Sequence, residues 1–73
     1  MANMEHSGVL VDVDVSGVGV VEDDESHVKY VFTFDKVKGY VGQSLGAAGL
    51  KAGRRVTFVA DEDFVEVLEV ARG

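Results

Sequence analysis

An all-β fold, closed into a small five-stranded barrel, is what this 73-residue sequence predicts. Three observations carry the prediction. Valine dominates the apolar residues and proline is absent. Valine is stiff at χ1 and packs better on a pleated sheet than in a helix. Apolar residues recur with period two in runs bounded by polar turns. One long glycine-rich connection separates the third run from the fourth.

The first strand is expected over residues 8–16, where Val9, Val11, Val13 and Val15 alternate with Leu10, Asp12 and Asp14. That pattern predicts a valine face buried and an aspartate face exposed. Gly17 interrupts the run, and a second strand covers 18–21. The like charges of Glu22, Asp23, Asp24 and Glu25, followed by Ser26, read as a solvated turn. A third strand follows over 27–34. Residues 35–53 carry Gly39, Gly42, Gly46, Gly49 and Gly53 and form the long connection, with room for one helical turn over 44–50 capped by Ser44. Residues 54–60 alternate again, with Val56 and Phe58 on one face and Thr57 and Val59 on the other. The acidic turn 61–63 leads into a last strand over 64–71. Five short strands with one long connection after the third describe an OB barrel. Closure also hides strand edges through which a valine-rich chain would aggregate.

Residues 1–7 are expected to be a flexible polar tail and 8–73 a single domain. No apolar run is long enough for a signal sequence or a membrane span. With no cysteine, disulfides and thiolate metal sites are excluded, and a cytoplasmic setting is expected. The net charge of −6 is unevenly spread. Lys29, Lys36, Lys38, Lys51, Arg54 and Arg55 lie in one segment with the single acid Asp35. Outside that segment twelve acids face Arg72 alone. The segment is a candidate cationic face on an anionic body.

Across most of its length the sequence resembles the cold-shock domain family. The opening strand Gly8-Val9-Leu10-Val11 matches the family's glycine-led first strand. Ser16-Gly17-Val18-Gly19-Val20-Val21 occupies its first RNA-binding motif and Tyr30-Val31-Phe32-Thr33-Phe34 its second. Leu50-Lys51-Ala52-Gly53-Arg54-Arg55-Val56-Thr57-Phe58 fits the later Leu-x-x-Gly-x-x-Val-x-Phe pattern. The resemblance implies single-stranded RNA or DNA as ligand, bound by stacking on outward aromatics. On this alignment Val18, Val20 and Val31 replace three aromatics and Thr33 a histidine, while Phe34 keeps its ring. Losing three stacks removes roughly 3–9 kcal/mol. A one-residue slip in the third strand would instead turn Tyr30, Phe32 and Phe34 outward.

The candidate nucleic-acid-binding residues are therefore Lys29, Lys36, Lys38 and either Arg54 or Arg55 for phosphates. Phe34, with Phe32 or Tyr40, is the candidate stacking set. Adjacent Arg54 and Arg55 point to opposite faces of a strand, so one of them serves a given groove. The alternative ligand is a basic protein, docked by the carboxylates of 22–25 and 61–63. No enzymatic activity and no cofactor are expected. Gly42-Gln43-Ser44-Leu45-Gly46 spells a nucleophile-elbow pattern, but both histidines precede Ser44 and the chain is too short for the α/β sheet it needs. Gly46-Ala47-Ala48-Gly49 has the spacing of a KH loop without its flanking helices. The acidic clusters lack the spaced glycine and closing glutamate of a calcium loop, and His6 and His27 have no partner at ligand spacing.

Overall fold

The computed structural model describes residues 5–62 and 64–71. Five strands form one closed barrel: β1 (Glu5–Asp14), β2 (Val18–Asp23), β3 (Lys29–Thr33), β4 (Arg55–Asp61) and β5 (Phe64–Val70). Their order around the barrel is β1-β2-β3-β5-β4, with β4 returning to β1. Neighbours are antiparallel except β3 and β5, which run parallel and meet at Val31 and Phe64. This is the OB-like arrangement the strand spacing predicts.

The seam between β3 and β5 is strengthened by the connection that follows β3. A single 3-10 turn, Phe34–Lys36, brings Val37 beside Leu68, and the Lys38 N–H donates to the Leu68 carbonyl at 2.8 Å. The expected helical turn is α1 (Leu45–Ala48). Ser44 caps it by accepting from the Ala47 N–H at 3.3 Å, and Gly49 ends it at φ 76°, a conformation that favours glycine. No helix among the described residues is long and apolar enough to cross a membrane.

The core is built from alternate residues of each strand. Leu10, Val21, Phe32, Phe58 and Leu68 are all but sealed from solvent, with Val56, Val65, Phe34, Val37 and Leu50 around them. Phe32 and Phe34 pack at 6.3 Å between ring centres, and Tyr40 meets Phe34 edge-on at 5.5 Å. The third strand is thus in the unslipped register. Phe32 (2 % exposed) and Phe34 (6 % exposed) are core residues, not the stacking surfaces expected of them.

Two further expectations are corrected. In β1 the buried residue is Leu10, while Val11 and Val15 are exposed. The reason is a bulge: Leu10 pairs with Val21 and Asp12 with Val20, so Val11 is an extra residue that shifts the pattern. Past it, Val13 packs against the core, and Asp12 and Asp14 remain outside. Residues 5–7, expected in the tail, are also strand. Glu5, His6 and Ser7 belong to β1 and pair with Val59, Phe58 and Thr57 of β4. Residues 1–4 lie outside the described residues, as do Asp63 of the acidic turn and Arg72.

Candidate functional site

The outer face of the barrel follows from the register. On β2 the inward residues Gly19 and Val21 leave Val18, Val20 and Glu22 facing out. On β3 the inward Phe32 leaves Lys29, Val31 and Thr33. Cross-strand pairing then aligns Asp12 with Val20, Val20 with Val31, Val31 with Phe64 and Phe64 with Asp61. One row of side chains therefore crosses all five strands, apolar in its middle and acidic at both ends. In the next row Asp14 pairs with Val18 and Val18 with Thr33.

Adjacent strands lie about 4.8 Å apart, so Val20, Val31 and Phe64 form one continuous strip. Phe64 is 65 % exposed, and Val18 and Val31 are exposed beside it. Phe64 was not among the sequence candidates. It sits in no motif, and a register step between Val59 and Ala60 breaks the alternation that would have assigned its side.

Around the strip the charge is mainly negative. Asp12, Asp14 and Asp61 border it, and Asp14 is held below the usual carboxylate range chiefly by the Ser16 hydroxyl. Thr33 hydrogen-bonds Asp35 next to it. Lys29 pairs in register with Glu22, whose carboxylate is also 3.0 Å from His27 Nδ1.

The cationic segment does not assemble into one face. Lys29 is exposed on β3, two residues from Val31 of the strip, and Lys36 is exposed on the 3-10 turn, where the chain lies beside Leu68. Lys38, Tyr40 and Arg54 line a separate cleft beside α1. Arg55 points elsewhere and is paired with Asp24. Neighbours in sequence become separated because the barrel carries successive segments to different sides.

The turn after β2 is built rather than merely solvated. Asp23 is 4 % exposed, and its Oδ1 accepts the N–H groups of Glu25 and Ser26 at 2.7 and 3.1 Å. Its Oδ2 lies 2.6 Å from His6 Nδ1, and the His6 ring stacks on Phe58 at 5.2 Å. The Ser26 N–H does most to lower the Asp23 pKa; burial opposes it, and Glu25 and His6 assist. A group whose folded pKa is depressed contributes stability above its unfolded value, near about 3.9, and loses it as pH falls through the folded value. Asp23→Ala is expected to cost about 2–3 kcal/mol at pH 7, because two N–H groups lose a charged acceptor. Urea unfolding should show the gap from the parent narrowing below about pH 4. A pH-independent gap would contradict the assignment.

Ser44 is the helix cap, and His6 and His27 each face a carboxylate. Among the described residues no three His, Cys, Asp or Glu side chains converge to hold a metal. Comparison with protein-family models, curated proteins and solved structures finds no match to this chain.

Proposed function

We propose that this chain is a non-catalytic binding barrel whose β2–β3–β5 face docks a cationic protein segment. The observation that carries the reading is the row Asp12–Val20–Val31–Phe64–Asp61, an apolar strip with a carboxylate at either end. Apolar side chains of the partner cover Val18, Val20, Val31 and Phe64, and its lysines or arginines meet Asp12, Asp14 and Asp61. Burial of the strip supplies affinity, and the rim charges speed encounter and set orientation.

Single-stranded nucleic acid, the ligand of the cold-shock likeness, is the second reading. The exposed Phe64 ring and Lys29 on the neighbouring strand favour it. Three valines in place of stacking rings and three bordering aspartates weigh against it, since carboxylates repel phosphates.

The test is an amide-resolved NMR titration at low salt with a lysine- and leucine-rich peptide and, separately, with oligothymidylate. Peptide shifts centred on Val20, Val31 and Phe64 are expected, with Phe64→Ala weakening binding about tenfold or more. The triple variant D12N/D14N/D61N should slow association and flatten its salt dependence. Oligonucleotide binding at this face that strengthens on removing the carboxylates would establish the second reading instead.

A further inference from the structure

Lys38, Tyr40 and Arg54, dispersed from the predicted face, meet again beside α1. They line an open cleft of about 580 Å³ between the glycine-rich connection and the end of β5. A volume of roughly 300–1,000 Å³ is what a small-molecule ligand needs. The cleft shares no lining residue with the apolar strip. Phe64 and Val70 stand at opposite ends of β5, about 20 Å apart along the strand.

We propose that this cleft binds a nucleoside phosphate. Two cations that line the cleft, Arg54 and Lys38, provide for the phosphate. Arg54 is oriented by donating to the Ala71 carbonyl at 3.1 Å, and its guanidinium lies over Gly49. A Cβ at Gly49 would come 3.4 Å from the Val70 Cγ1 and 3.9 Å from the Arg54 Cζ, so both side chains pack close over the Gly49 backbone. Lys38 is rooted at the rim by its backbone bond to Leu68. Its ammonium has no carboxylate partner among the described residues, although Glu69 lines the same cleft.

An unneutralised lysine beside a tethered arginine, in a chain of net charge −6, marks this as a place suited to an anion. The other lining groups suit a nucleoside. Gly46, Ala47 and Ala48 leave a shallow wall for a flat base, and Tyr40, its ring edge-on to Phe34, lines the same cleft. Gln43, whose Oε1 accepts from the Val41 N–H at 2.7 Å, keeps its amide NH2 for a base edge. Glu69 is an acceptor for sugar hydroxyls and disfavours a second phosphate near it. A free mononucleotide and the phosphorylated end of a strand offer the same chemistry.

The experiment is a titration of the labelled full chain with AMP, adenosine, inorganic phosphate, and short oligothymidylate with and without a 5′-phosphate. AMP is expected to shift the amides of residues 38–49 and Arg54, with adenosine and phosphate each binding about tenfold or more weakly. Lys38→Gln and Arg54→Gln should each weaken AMP about tenfold, and Arg54→Lys less, with the spectrum outside the cleft unchanged. A preference for the 5′-phosphorylated oligonucleotide over AMP assigns the site to strand ends, and the reverse assigns it to free nucleotide; both uphold the proposal. Absence of cleft shifts at millimolar AMP would overturn it. So would AMP binding that Lys38→Gln leaves intact.

Discussion

Phe58→Ala is expected to leave the chain largely unfolded at 37 °C. Phe58 is 1 % exposed, stacks on His6 and packs against Tyr30 at 5.4 Å between ring centres. It joins β4 to both β1 and β3 at one point of the core. Truncating a buried phenylalanine to alanine costs about 3–5 kcal/mol. The total stability of a chain this size is only roughly 4–11 kcal/mol. Thermal unfolding by circular dichroism would register the change, since each kcal/mol shifts the midpoint by about 4–8 °C in so small a domain. Phe58→Leu keeps most of the volume and should fold with a loss of about 1–2 kcal/mol. An alanine variant melting within a few degrees of the parent would mean that Phe58 is not a core residue.

Gly19→Ala is the second large effect, and it acts through overpacking. Gly19 is buried opposite Phe32, and a Cβ there would lie 2.4 Å from the Phe32 Cζ. The ring is held within the core against Phe34, so it cannot simply swing away. A cost of about 1–3 kcal/mol follows. Phe32→Leu removes the obstructing ring tip, so the double variant should be no less stable than Phe32→Leu alone. The coupling in that cycle is expected at about 1–3 kcal/mol, the whole cost of Gly19→Ala, measured by urea unfolding. Additive losses would show that the ring is not what the new methyl meets. The consequence reaches the docking face as well. Gly19 lies between Val18 and Val20, so displacing its backbone tilts the strip that those side chains form.

Much of the architecture was legible in the sequence because its signals are local. Period-two valines, the breaks at polar turns and the single long connection specify five strands and closure, whatever lies next to them. Ser44 announces a helix start by chemistry confined to one turn.

The candidate site was less legible. The inward face of β1 cannot be chosen from its alternation, because Leu10 shares a parity with Asp12 and Asp14 while valines hold the other. Only the extra residue Val11 reconciles a buried Leu10 with exposed aspartates, and a bulge is decided by pairing with β2. His6 looked like part of a free tail, since residues 1–7 hold no apolar run. It is ordered by Asp23 and Phe58, residues 17 and 52 positions away. The cations of 29–55 formed one cluster in sequence and occupy three places on the barrel.

By itself, then, the sequence determined the number of strands, their closure and the excess of negative charge. Tertiary structure alone decided which charges and rings share a surface. A strand's apolar period depends on its own residues, whereas the row Asp12–Val20–Val31–Phe64–Asp61 exists only through the register of five separate strands, and a one-residue change in any register would dissolve it.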